Sequence, residues 1–431
     1  MNISKYNIIS KIQDLNEYFI INVLSGNADI LTADEYSDII NGNYNDAFID
    51  KGYFVDSYNE NKLFKRKYLD FIDARDRDEI QIFFVPTYAC NFKCSYCYQS
   101  GYSNDPAPLN KDLIDSFFKY IELKFNNRRK YITLFGGEPL LNNEKYRERI
   151  EYFTNECTKR KLELAIVTNG YFLDNYISLL KKAEIREIQV TLDGTAEMHN
   201  KRRFIVKGED TFKKISNNID LLLSYNIPVN LRVVVDRENF SNLIDLARFA
   251  IEKGWTKNQL FKTQIGRNYE LHYCQTGNNK LFTRIELYKE LYHIVKKHPE
   301  FTEFHKPAFS ISKYLFENGK LPDPLFDSCP GCKTEWAFDY TGKIYSCTAT
   351  VGKDSEVLGT YYPEVQLDVE KVEEWEQRDI LSIKECKNCE LQLACGGGCA
   401  SIAKNNNGML HSPDCRPVKE LLEMGIAFFQ Q

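Results

Sequence analysis

Three cysteines, Cys90, Cys94 and Cys97, stand in the string CNFKCSYCY, directly after an apolar, strand-like run. The spacing C-x3-C-x2-C offers three thiolates and no fourth. Iron–sulfur cubes are usually held by four cysteines, one on each iron. A cube on three leaves one iron open to a substrate or cofactor, which is the arrangement of a reactive centre and not of a simple electron carrier. A zinc site short of its fourth ligand is the rival reading. Further along, the loop FGGEP (135–139) supplies two glycines that let backbone approach a ligand, and Glu138, an acceptor for an ammonium. A Gly-Gly turn before a helix-starting proline is the plainer explanation of that loop. TNG (168–170) and TLDGTAEMHNKRR (191–203) follow the same logic. Asp193 suits a ribose hydroxyl and Arg203 a carboxylate, while Asn-Gly and Asp-Gly are also ordinary turn dipeptides. His199 reads as a structural hydrogen-bonding residue, Cys157 as a small buried hydrophobe, and Cys274 as an incidental cysteine near the reactive end.

The elements that position these residues follow from hydrophobic pattern. Strand-like runs at 80–86, 131–135, 162–168, 187–193, 229–235 and 259–265 alternate with helical spacing at 113–125, 144–157, 176–183, 211–225 and 243–253. Six such alternations imply parallel strands with right-handed crossovers, an open, partial (β/α)6 TIM-like barrel in the α/β class. Chemistry then belongs at the carboxyl ends of the strands, where Cys90, Cys94 and Cys97 fall. The expected organisation is a small α/β module over 1–78, the barrel over 79–282, a helical connection over 283–325 and a cysteine- and glycine-dense segment over 326–431. That last segment has weak periodicity, so metal and not an apolar core is expected to organise it.

Eleven of the thirteen cysteines lie in 90–97 and 329–415. Such clustering favours ligation in a reducing, cytoplasmic setting over disulfides. The first thirty residues lack a secretory signal pattern, no apolar run is long enough to span a bilayer, and the net charge of −5 with no long basic stripe argues against a nucleic-acid partner.

The triplet after the first strand, the aromatic Tyr96 before its third cysteine, and GGEP after the second strand together resemble the radical S-adenosylmethionine (SAM) superfamily over about 80–270. The resemblance implies a 4Fe–4S cluster on Cys90, Cys94 and Cys97, with SAM chelating the open iron. It places Gly136, Gly137 and Glu138 at the SAM amine, and Thr168, Asn169, Thr191 and Asp193 along the adenosine. Arg203 falls near the carboxylate and Tyr96 near the adenine. The C-terminal pattern C-x9-G-x4-C (Cys332, Gly342, Cys347), then C-x2-C-x5-C-x3-C (Cys386, Cys389, Cys395, Cys399) and a final Cys415, is similar to the SPASM domain of peptide-modifying members. With Cys329 there are eight thiolates, enough for two auxiliary cubes and equally for two zinc ions. Family pattern groups Cys329, Cys332, Cys347 and Cys399, and separately Cys386, Cys389, Cys395 and Cys415. Gly396, Gly397 and Gly398 either wrap the chain between the two clusters or form a surface loop.

The resemblance implies hydrogen abstraction from a ribosomally made precursor peptide, giving a thioether, a carbon–carbon crosslink or another oxidised side chain. It also implies a flavodoxin-, ferredoxin- or reductase-type electron donor. The N-terminal module is suited to docking a leader peptide as an added strand, or to capping the barrel. A sulfatase-maturing enzyme is the second reading. That branch carries Asp, a base, after the cysteine equivalent to Cys347, where this chain has Thr348. A non-catalytic cluster- or zinc-bearing scaffold is the third. No residue is assigned as the catalytic base.

Overall fold

The structure, a computed structural model, describes the whole chain except residues 44, 103–108, 207, 269–277 and 431. Cys274 lies outside the described residues. The chain opens with an antiparallel meander, β1 (Asn7–Lys11), β2 (Tyr18–Asn22) and β3 (Asn27–Leu31). Helix α1 (Ala33–Ile40) follows, started by a Thr32–Glu35 capping box that satisfies two of its free backbone donors. The 21-residue helix α2 (Ser57–Arg77) has no fully buried residue, and its polar sequence hid it from the periodicity reading. One face carries Phe64, Tyr68 and Phe71, and all three rings pack around Phe326. The N-terminal module is thereby fastened to the start of the cysteine-rich region.

Six strand–helix units come next. They are β4 (Ile80–Val85), α3 (Lys111–Lys124), β5 (Lys130–Leu134), α4 (Glu144–Lys159), β6 (Leu164–Thr168), α5 (Leu173–Leu180), β7 (Ile185–Thr191), α6 (Ala196–Arg202), α7 (Thr211–Ser224), β8 (Val229–Val235), α8 (Leu243–Glu252) and β9 (Phe261–Arg267). Each strand lies parallel to the next. The result is the open α/β barrel that the alternation predicts. Its outer face is apolar: Phe84 stacks on Phe153 and packs against Phe117, joining sheet to helices α3 and α4. Phe84 and Phe117 are fully buried, and each contributes about 1.5–3 kcal/mol. The inner face is polar at alternate positions, as in Glu187, Gln189 and Thr191 of β7.

The barrel sheet does not stop at its sixth strand. After α9 (Arg284–Lys297) and α10 (Ser312–Asn318), strand β10 (Glu335–Asp339) pairs parallel with β4, Glu335 opposite Gln81. Strands β11 (Lys343–Tyr345), β12 (Gly359–Thr360) and β13 (Gln366–Leu367) extend it in antiparallel fashion. The order is β9-β8-β7-β6-β5-β4-β10-β11-β12-β13. The cysteine-rich region thus contributes sheet where the sequence predicts little regular structure. Helices α11 (Val369–Glu376), α12 (Ala400–Asn407) and α13 (Val418–Phe429) complete the chain. No described helix is long and apolar enough to cross a membrane.

Candidate active site

Cys90, Cys94 and Cys97 lie on the loop after β4, and all three line a cavity of about 380 Å³ at the carboxyl end of the barrel. The loop is pinned from outside by backbone bonds: Lys93 N donates to Phe204 O (2.8 Å) and Ser95 N to Arg202 O (2.9 Å). Burial pushes the Cys90 thiol up to about 12 and the Cys94 thiol up to about 11, with each thiol disfavouring charge on its neighbours. Arg203 beside Cys94 works in the opposite direction. Phe92 N donates to Cys90 Sγ at 3.3 Å. Three crowded thiols, an amide N–H aimed at sulfur and a buried guanidinium suit thiolates bound to a cationic centre. Two donors in the same neighbourhood, Asn91 Nδ2 and Arg203 Nε, are buried without a partner. The residues fit an iron–sulfur cluster with an anionic ligand beside it.

Several predicted contacts line the same cavity: Tyr96, Gly136, Gly137, Thr168, Asn169, Thr191 and Arg203. Arg203 Nη1 donates to the Tyr96 hydroxyl (2.7 Å), and the Arg202 guanidinium sits 4.8 Å from the centre of the Tyr96 ring. Asn169 Nδ2 donates to Asn91 Oδ1 (2.8 Å) and lies 3.9 Å from Cys90 Sγ.

Two predicted contacts stand beside the cavity without lining it. Glu138, 1% exposed, does not line the cavity. Its carboxylate accepts from Thr168 Oγ1 (2.7 Å), Asn169 N (2.7 Å) and Leu140 N (2.8 Å), tying the loop after β5 to the end of β6. Burial still pushes this carboxyl up to about 7. Asp193, fully buried, accepts from Val234 N (3.0 Å) and pairs with Arg202 Nε (3.4 Å). Arg202 itself is spent on Asp236 (2.9 Å) and Glu238 (3.2 Å). Asp193 therefore braces β7 against β8. The glycines serve a close approach of backbone to backbone. A Cβ on Gly137 would lie 2.3 Å from both the Ala89 and Tyr88 carbonyl oxygens, and the Gly137 and Glu138 amides donate to Thr87 O and Ala89 O. The loop after β5 thus sets the position of the chain entering the cysteine triplet. His199 is fully buried, its Nδ1 accepts from Asp193 N (3.3 Å), and burial with Arg203 and Arg202 nearby holds it neutral.

Sequence reasoning missed most of the lumen wall, including Gln81, Thr133, Gln189, Arg232, Arg267 and Thr348. For Gln81, Thr133, Gln189 and Arg232 the signal was present as a polar residue between apolar neighbours within a strand. Thr348 brings the C-terminal region into the cavity. Its amide donates to Glu335 Oε1 (3.0 Å), and burial pushes the Glu335 carboxyl up to about 7.

The eight C-terminal thiols fall into two neighbourhoods. Cys332 bears the charge influence of Cys347 and Cys329, and Cys347 that of Cys329 and Cys399. Cys386 bears that of Cys395, Cys389 and Cys415, and is pushed up to about 11, chiefly by burial. Among the described residues no three His, Cys, Asp or Glu side chains converge on one metal ion. A cube takes its thiolates on separate irons, whereas zinc draws four onto one centre. Between the two neighbourhoods runs a buried network. Lys333 pairs with Asp327, Asp327 Oδ1 accepts from Cys329 N (3.0 Å), and Arg378 donates to the carbonyls of Gly397, Gly398, Leu410 and Ser412. Gly396, Gly397 and Gly398 all have positive φ. A Cβ on Gly398 would come 2.0 Å from Asp414 O. The triple glycine is a packed crossing, not a surface loop.

Residues 84–250 match the family described as Radical SAM superfamily. Those residues form a radical SAM domain within the chain. The chain is 32% identical over 171 residues to a GTP 3′,8-cyclase of Campylobacter fetus, a match covering 39% of this chain and 51% of that protein. Two relatives match along most of their length. A cysteine-type anaerobic sulfatase-maturating enzyme of Clostridium perfringens is 22% identical over 78% of this chain and 92% of its own. The radical SAM cyclopropyl synthase TigE of Paramaledivibacter caminithermalis is 23% identical over 87% and 80%. Two solved structures share the fold. anSMEcpe with bound AdoMet has a TM-score of 0.62 at 19% identity, covering 82% of this chain and 98% of that one. Streptococcus suis SuiB bound to its precursor peptide SuiA has a TM-score of 0.55 at 13% identity, covering 97% and 99%. Beyond the radical SAM domain, the cysteine spacing of the C-terminal region is SPASM-like.

Proposed function

We propose that this protein modifies a ribosomally synthesised peptide by radical chemistry, forming a thioether, a carbon–carbon crosslink or another oxidised side chain. The observation that carries the reading is one cavity reached both by the thiol triplet of the barrel and by Thr348, next to Cys347 of the C-terminal region. Cys90, Cys94 and Cys97 would hold the SAM-binding cluster, and Cys329, Cys332, Cys347, Cys399 and Cys386, Cys389, Cys395, Cys415 the two auxiliary clusters. When bound, the reduced cluster and SAM supply a 5′-deoxyadenosyl radical able to remove hydrogen from an unactivated C–H bond.

The chain's own residues do the rest. Gly136 and Gly137 would hold the amine end of SAM, Arg203 and Asn91 its carboxylate, and Tyr96, Thr168, Asn169 and Thr191 its nucleoside. The lumen excludes water and fixes the target carbon. Glu335 Oε1, one hydrogen bond from Thr348, is the carboxylate placed to take a proton released there. The free edge of β3 borders a hollow of about 300 Å³ lined by Phe19, Ile30 and Phe316, which suits a leader peptide added as a strand. SuiB, which shares the fold along nearly the whole chain, binds a precursor peptide. A small flavodoxin- or ferredoxin-type protein is the electron donor in this reading, and the cytoplasm its setting.

The test is anaerobic reconstitution with iron, sulfide, SAM and dithionite, followed by chromatography for 5′-deoxyadenosine and mass spectrometry of peptides encoded beside this gene. No 5′-deoxyadenosine would leave a binding scaffold. The likeness to the sulfatase-maturating relative favours a second reading, formylglycine formation. Conversion of a cysteine-containing sulfatase peptide to the aldehyde would establish it over crosslinking.

A further inference from the structure

A second cavity adjoins the site described above. It measures about 550 Å³ and runs between β9, α9, α13 and the start of α12. Four arginines line it, Arg232, Arg267, Arg284 and Arg416, with apolar walls that include Leu287 and Leu421. Among the described residues no aspartate or glutamate does so, although the chain as a whole carries a net charge of −5. His305 also lines it and adds no charge at neutral pH, since burial pushes it down to about 4.

The arginines are placed by their surroundings. Arg284 is held by Asp414 at 2.7 Å. Arg232 Nη1 donates to the amide oxygen of Gln264, a neutral partner, at 3.2 Å. The Arg232 guanidinium crosses β9 at Gly266, where a Cβ would come within 2.9 Å of Arg232 Nη2. Arg284 and Arg416 both bear on the Tyr288 hydroxyl from the cleft wall. Arg232 and Arg267 line the barrel lumen as well, so the cleft adjoins the reactive cavity. At its other end it reaches Cys399.

We infer that this cleft binds a segment of the substrate peptide bearing acidic side chains, and so threads the residue to be modified into the lumen. The inference rests on the peptide reading above. Guanidinium groups grip carboxylates through paired hydrogen bonds. A concave wall of one charge sign on low-dielectric sides concentrates its field and draws in the opposite charge. The aliphatic walls take the apolar side chains between the acidic ones.

The test uses the full-length, anaerobically reconstituted protein and two fluorescein-labelled peptides, one alternating Glu and Leu and the other with Gln for each Glu. Anisotropy should show the Glu peptide binding about tenfold or more tightly, the value of one charge-assisted hydrogen bond, with the advantage shrinking as salt rises. Arg416→Gln and Arg232→Gln, each checked for iron content and unfolding temperature, should each erode that preference. Equal binding of the two peptides would overturn the inference. So would an unchanged preference in whichever variant folds, or displacement by inorganic phosphate as effective as by unlabelled Glu peptide. Uncoupled 5′-deoxyadenosine formation is measured in parallel. Its absence with the Glu preference intact would sink the radical reading and keep the cleft, and the converse result would do the reverse.

Discussion

Around Cys90, Cys94 and Cys97 the chain is held by a parallel sheet whose outer face is packed with Phe84, Phe117 and Phe153. Around the eight C-terminal cysteines it is held by short strands, left-handed glycines and the Lys333–Asp327–Arg378 network. The barrel thiols need no metal to stay where they are, because strands on either side fix the loop that carries them. The C-terminal thiols sit on loops, turns and short helical segments, with Cys329, Cys332, Cys347 and Cys386 packed against apolar side chains. The contrast leads to the expectation that ligation stabilises the C-terminal region more than the barrel.

The strongest way to break this contrast is to remove thiols from each region in turn. The variant Cys90→Ala, Cys94→Ala, Cys97→Ala should form no 5′-deoxyadenosine, lose one cluster's iron and keep its unfolding temperature within a few degrees. Cys386→Ala with Cys389→Ala should lose iron and also lower the unfolding temperature clearly. Equal thermal effects would erase the distinction. Stripping all metal with a chelator should speed hydrogen exchange at 386–399 while β4, β5 and β6 stay protected. Next in size is Arg378→Leu, which leaves the carbonyls of Gly397, Gly398, Leu410 and Ser412 unpaired. A loss of about 3–5 kcal/mol is expected in urea unfolding. Gly137→Ala forces a methyl against two carbonyls and should cost about 1–3 kcal/mol, with cluster occupancy reduced because the triplet loop shifts.

The smallest effect concerns pH. Burial and Lys313 push His305 down to about 4. The unfolded chain therefore binds a proton that the folded one refuses, so stability falls as pH drops from about 6.5 towards 4. His305→Asn should remove on the order of 1–2 kcal/mol of that acid loss, read from urea midpoints at pH 7 and pH 5.

The triplet and the six alternating units were legible because each is a local pattern of spacing. Part of the cavity wall was legible in principle, through polar residues such as Gln81, Gln189 and Arg232 set between apolar strand neighbours. The roles of Glu138 and Asp193 were not, since both sit beside ligand-like motifs yet are satisfied by donors far along the chain: Thr168 and Asn169 for Glu138, Val234 and Arg202 for Asp193. Strand β10 was missed because EWAFD is short and lies among cysteines and glycines. Its partner is 254 residues away, as Glu335 faces Gln81. Helix α2 escaped because its aromatic face becomes meaningful beside Phe326.

That pairing of β10 with β4 has a mechanical meaning. A strand on the cysteine-triplet side and a strand on the auxiliary side are neighbours in one hydrogen-bonded ladder. The two strands share one ladder, so the distance between the two thiol-bearing sides is set when the chain folds. Cutting the chain before residue 326 would leave β4 with a bare edge and a sticky fragment in place of a free-standing barrel.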